Sequence, residues 1–151
     1  MSRGLVRAAK VLGLTLVLSV MLGATAPEAR ADWTPRRDLA TWMNAARANH
    51  GARALERVWV LRQLADDHSR AMARDGRIFH TTNLSTRLRI VSWQVYGENV
   101  GVTDGLRRLF DAFMDSPSHR ANILDGRFGR VGIGVYRDDR GYVWVTLVFV
   151  G

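Results

Sequence analysis

Cysteine is absent from this chain of 151 residues, and lysine occurs once, at Lys10. Without cysteine there is no disulfide framework and no membrane anchor through a lipidated Cys. Proline is scarce, at Pro27, Pro35 and Pro117, so no proline-rich linker divides the chain. Long apolar runs are missing too. The N-terminal one, Val11 to Leu22, is broken only by Gly13, Thr15 and Ser19 and falls well short of the roughly 20 residues that span a bilayer as a helix.

What is present at the N-terminus is a export signal pattern. Arg3, Arg7 and Lys10 form a positive start, the apolar run follows, Pro27 breaks it, and Ala29-Arg30-Ala31 places small residues where a signal peptidase reads. Residues 1–31 are therefore expected to be a signal peptide, with an exported form beginning at Asp32. Their removal takes four basic residues and one acid from a net charge of +8, leaving a domain of about +5. That domain is basic through arginine alone. Arg47, Arg53, Arg57, Arg62, Arg70, Arg74 and Arg77 are scattered at spacings that suit solvated helix faces. Nucleic-acid binding would cluster them among aromatics, so it is not expected. An apolar content of 47% is enough for a core in one domain of about 120 residues without disulfides.

A polar lead-in, residues 32–37, precedes a domain over residues 38–151. Asp38 reads as an N-cap, with Leu39, Trp42, Met43 and Ala46 at helical spacing until Asn49-His50-Gly51. A second helix is expected from Val60 to Arg74, ended by Asp75-Gly76, and a short one near Ser85 to Ile90. Tyr96-Gly97-Glu98-Asn99-Val100-Gly101 reads as a glycine-flanked segment that presents one carboxylate at a fixed place. A third long helix spans Asp104 to Met114, and Pro117 falls in the connection after it. Val131–Tyr136 and Tyr142–Val150 are β-rich runs joined by a hairpin turn, Arg137-Asp138-Asp139-Arg140-Gly141. The second is nearly all apolar, as a central strand covered on both faces would be. Helices first and a hairpin last predict an α+β domain.

Four histidines are present: His50, His68, His80 and His119. His50 stands at a helix end, where an imidazole caps carbonyls. His68 lies on the apolar face of the second helix, as a hydrogen-bonded core histidine would. His80 leaves the apolar pair Ile78-Phe79 and enters a threonine pair. His119 sits in a polar stretch that opens an apolar turn.

A run of ordered motifs resembles the CAP superfamily of cysteine-rich secretory, antigen-five and plant pathogenesis-related proteins, in its bacterial SCP-like branch. The motifs are Asn44-Ala45-Ala46-Arg47 with Gly51 and Leu55, His68-Ser69-Arg70-Ala71-Met72-Ala73, Phe79-His80, Gly97-Glu98-Asn99, the unbroken Ser116–Leu124 stretch Ser-Pro-Ser-His-Arg-Ala-Asn-Ile-Leu, and Val131-Gly132-Ile133-Gly134-Val135. The resemblance implies an α-β-α sandwich, a small antiparallel sheet flanked by helices, with a central cavity of two histidines and two acids. Carried over, these are His80, His119 and Glu98. Where the family has its second glutamate this chain offers only Asp115, with a shorter side chain.

The chemistry of that set leaves its use open. His80, His119 and Glu98 make an open three-ligand zinc set with water in the fourth place, and that water could serve a hydrolase with Glu98 as general base. Equally, Glu98 could bond both histidines in a metal-free polar network. Ser118 beside His119 is a poor nucleophile–base pair, because sequence neighbours rarely face one another. The resemblance implies a secreted or envelope-located monomeric binding module, non-enzymatic, with a lipid, sterol or cell-surface ligand and no transmembrane helix after signal removal. A zinc-dependent hydrolase and a cell-wall-associated structural protein are the alternatives.

Overall fold

The computed structural model describes residues 33–151; the expected signal peptide lies outside them. The elements are α1 (Trp33–Asn49), β1 (Glu56–Arg57), α2 (Trp59–Asp75), α3 (Leu84–Arg87) running into a 3₁₀ turn (Leu88–Ile90), β2 (Tyr96–Thr103), α4 (Leu106–Asp115), α5 (Pro117–Leu124), β3 (Arg130–Arg137) and β4 (Val143–Val150). No helix among the described residues is long and apolar enough to cross a membrane.

The four strands form one sheet in the order β1-β3-β4-β2. β4 pairs antiparallel with both β2 and β3 along its whole length, and all eight of its residues are buried. It is the doubly covered central strand that its apolar run predicts. β1 pairs parallel with β3 through two residues, so the sheet is mixed rather than wholly antiparallel.

Alternation along β3 and β4 divides the core into two layers. Val131, Ile133, Val135, Val145, Leu147 and Phe149 pack with Leu39 and Met43 of α1, Phe110 and Phe113 of α4 and Ile123 of α5. On the other face Val148 and Val150 meet Leu61 and Ala65 of α2 and Leu84 of α3. Gly132 and Gly134 let α2 lie directly on β3. A Cβ at either would stand 2.1–2.3 Å from the backbone of Leu61 or Ala65. The result is an α-β-α sandwich.

Beyond β1, side chains take over the outer edge of β3. Arg36 donates Nε–H to the Ile133 carbonyl at 3.2 Å and a second N–H to that of Val135 at 3.2 Å. Asp66 accepts the Val135 N–H at 3.0 Å and pairs with Arg36 at 2.8 Å. An ion pair with both members buried thus stands in for a missing strand, and it blunts an edge that would otherwise template further pairing.

Asn44 and Arg47 do similar work at the far end of α1. The Asn44 side chain accepts from Leu55 N–H at 2.9 Å and donates to Leu55 O at 3.3 Å. Arg47, fully buried, donates to the carbonyls of Arg53, Ile123, Asp125 and Phe128 at 2.7–3.0 Å. Burial, and after it the neighbouring Arg53 charge, lower its pKa below the ordinary arginine value.

Two local expectations are corrected. α1 begins at Trp33, so Asp38 is inside the helix rather than its cap, and most of the supposed lead-in is helical. Pro35 falls in the first turn, where its missing N–H has no partner to lose. Pro117 opens α5 as its first residue, again a position that suits proline. The glycine-flanked Gly97-Glu98-Asn99 segment is part of the edge strand β2.

Candidate functional site

The site is built on the free edge of β2. Because strand side chains alternate, Glu98 and Asn99 leave the sheet on opposite faces. Glu98 is 8% exposed and meets the segment after α2. Its Oε2 accepts from His80 Nδ1 at 2.8 Å and from Thr81 N–H at 2.9 Å, and its Oε1 accepts from the Thr81 hydroxyl at 2.5 Å. Both carboxylate oxygens are engaged. The carboxylate oxygen is the acceptor, so His80 donates from Nδ1 and leaves Nε2 outside this bond. The His80 side chain is 63% exposed.

Asn99 faces the other layer. Its amide donates to the His119 carbonyl at 2.9 Å and its oxygen accepts from Asn122 at 2.8 Å; Asn122 also donates to the Glu98 carbonyl at 3.2 Å. Gly97 allows this approach, since a Cβ there would stand 2.8 Å from Asn122 Oδ1. The His119 ring lies 5.0 Å from that of Phe113, and its Nδ1 is 2.9 Å from Ser116 Oγ. Burial, and after it the positive charge that His80 can carry, lower the His119 pKa below the ordinary histidine value. At neutral pH it is an uncharged imidazole.

Of the four residues expected to share the cavity, the structure joins His80 to Glu98 by a hydrogen bond and ties His119 to the same strand through Asn99. Asp115 is exposed at the end of α4 and none of the hydrogen bonds around Glu98, His80 or His119 reaches it. Thr81, which supplies two of the three donors to Glu98, was not singled out from the sequence; its place directly after His80 was the available signal. Ser116, Asn99 and Asn122 are likewise supports that only the packing reveals.

His50 and His68 stand apart. His50 donates Nδ1–H to the Ala46 carbonyl at 2.8 Å, capping α1, and its Nε2 lies 3.0 Å from Arg120. His68 is buried on α2 and bonds the Phe79 carbonyl at 2.7 Å.

The chemistry of the donor set bears on zinc. No three His, Asp or Glu side chains among the described residues come together as a metal-holding group. Glu98 is spent on His80 and Thr81, which leaves His80 Nε2 and the unbonded nitrogen of His119. Two imidazoles do not fit a resident zinc ion, which takes three or four protein ligands.

Next to Glu98 a cleft of about 400 Å³ opens to solvent, walled by His80, Thr81, Asn83, Ser85, Tyr96 and Glu98. His119 does not line it. A second cavity lies at the opposite, β1 side of the sheet, between Arg36, Arg62, Trp59, Val131 and Ile133; it contains none of the expected site residues.

Comparison with known proteins places these observations. The profile of the Cysteine-rich secretory protein family, CAP, matches residues 41–149. No curated protein matches. Among solved structures, an outer surface protein from Borrelia burgdorferi is 17% identical, with a TM-score of 0.72, over 78% of this chain and 92% of that one. An extracellular protein containing an SCP domain from Bacillus anthracis is 26% identical, with a TM-score of 0.67, over 78% of this chain and 40% of that one. A cysteine-rich secretory protein from Staphylococcus aureus is 22% identical, with a TM-score of 0.67, over 78% and 38%. The chain therefore spans well under half of the last two.

Proposed function

This chain belongs to the Cysteine-rich secretory protein (CAP) family, and from that premise we propose that it is a non-enzymatic binding module acting outside the cell or in its envelope. Its ligand seats against His80 and Glu98. The carrying observation is the state of Glu98: buried, with both oxygens taken by His80 and Thr81. A general base must turn a free lone pair toward the water or substrate it deprotonates. Glu98 instead acts as a strut that fixes the His80 ring and the start of the loop behind it, the arrangement of a preformed recognition surface. The location follows the names of similar proteins, described as extracellular or as an outer surface protein.

Incubation with peptide, ester and glycan substrates, with and without added zinc, is the test. No turnover is expected under either condition. Turnover that Glu98→Gln abolishes would replace the binding reading with the hydrolase reading.

A further inference from the structure

We propose that the cleft beside Glu98 binds a neutral, hydroxyl-rich saccharide. The inference rests on the binding-module reading and supplies its ligand class. Three observations lead to it.

The first is an aromatic platform. Tyr96 is 43% exposed at the rim and is held edge-on by Trp93, with ring centroids 4.9 Å apart and planes at 84°. One face of a sugar ring presents C–H groups, and a fixed, solvent-facing aromatic ring is the surface on which such a face stacks.

The second is unspent hydrogen-bonding capacity. Asn83, Ser85 and Tyr96 line the cleft, and no described residue bonds the Asn83 amide, the Ser85 hydroxyl or the Tyr96 hydroxyl. His80 turns Nε2 to the same space. Donors and acceptors are mixed, which suits hydroxyl groups that both give and take hydrogen bonds. Asn83 also holds a left-handed backbone, φ 56° and ψ 40°, the one non-glycine residue with positive φ among those described. Such strain is tolerated where a side chain must be aimed.

The third is charge. Glu98 is the one acidic side chain on the cleft wall, and no arginine lines it. Its negative charge disfavours phosphates, carboxylate-headed lipids and other anions, although the protein as a whole is basic. The wall also lacks the continuous apolar surface that an acyl chain or sterol requires, since Leu84 and the Tyr96 ring are its main apolar parts. A neutral polyol with one apolar face matches what remains.

The test is saturation-transfer NMR and calorimetric titration of the purified protein with fully N-acetylated chitotetraose and with cellotetraose. At least one should bind. Tyr96→Ala should weaken it about tenfold or more, the effect of losing a central aromatic contact, while Tyr96→Phe keeps the stacking face and stays within about threefold. Asn83→Gly removes the amide but tolerates the backbone, so it should weaken binding with the thermal midpoint unchanged or raised. Tyr142→Ala, at an exposed tyrosine outside the cleft, should have no effect. Binding of neither sugar, or equal losses in Tyr142→Ala and Tyr96→Ala, overturns the proposal. If the sugars fail while sterol-containing vesicles shift the His80 ring resonances, the saccharide falls and the binding module stands. Glu98-dependent hydrolysis would remove both.

Discussion

His68 holds Phe79 by its backbone: the imidazole Nε2–H meets the Phe79 carbonyl at 2.7 Å, one residue before His80. The two rings also pack edge to face, with centroids 5.0 Å apart. A core histidine thereby sets where the site histidine leaves α2's layer. His68→Ala should cost about 1–3 kcal/mol, because the partly buried Phe79 carbonyl loses its donor. It should also broaden the His80 ring signals in NMR spectra, which a purely local loss would leave sharp.

Phe113 faces the other layer. It is 3% exposed and packs the His119 ring. Phe113→Ala is expected to cost about 3–5 kcal/mol in chemical denaturation, as for other buried aromatic side chains. Water admitted beside His119 should raise its pKa back toward the ordinary value. A loss below about 1 kcal/mol would mean that α4 does not bury this face.

Acid should weaken the fold through His119. Its folded pKa lies below the unfolded one, first through burial and then through His80. The unfolded chain therefore takes up the proton first as pH falls below about 6.5. Stability should decline from there until the folded pKa is passed, and the penalty then stays in full. His119→Gln should flatten urea stability curves between about pH 7 and pH 5. Asp125 and Asp138, held below the usual carboxylate value, contribute stability that is lost only at lower pH. A wild-type curve already flat across the histidine window would refute the assignment.

Removing one partner of the buried ion pair at the β3 edge should be severe. Asp66→Ala takes the carboxylate away from the Arg36 guanidinium, 4% exposed, and leaves Val135 N–H without its acceptor. The expected loss is about 3–5 kcal/mol, read from denaturation midpoints. Light scattering should also show association, since the edge loses its cover.

The architecture was legible where burial imposes one period. The apolar spacing of α2 and α4 and the unbroken run of β4 announce their roles directly. β2 was harder to see, because Gly97 and Gly101 interrupt its apolar pattern. They are small because Asn122 comes close to Gly97 and Leu109 to Gly101, a requirement of contacts distant in sequence. The start of α1 was misplaced for a related reason: Arg36, polar in the sequence, is buried by a partner 30 residues away. His80, Glu98 and His119 were recognisable as motifs. That Glu98 would spend itself on Thr81 was not, since a threonine after a histidine carries no periodic signal.

The position of β4 has a consequence for the order of events during synthesis. It follows every other described element in the chain, yet it fills the middle of the sheet, with Tyr96 opposite Val150 on one side and Arg130 opposite Val150 on the other. Until its eight residues emerge, β2 and β3 have no shared partner and both helical layers lack their floor. The earlier segments therefore cannot complete the sheet before β4 joins it, and the insertion of this strongly apolar strand between its two neighbours closes the domain.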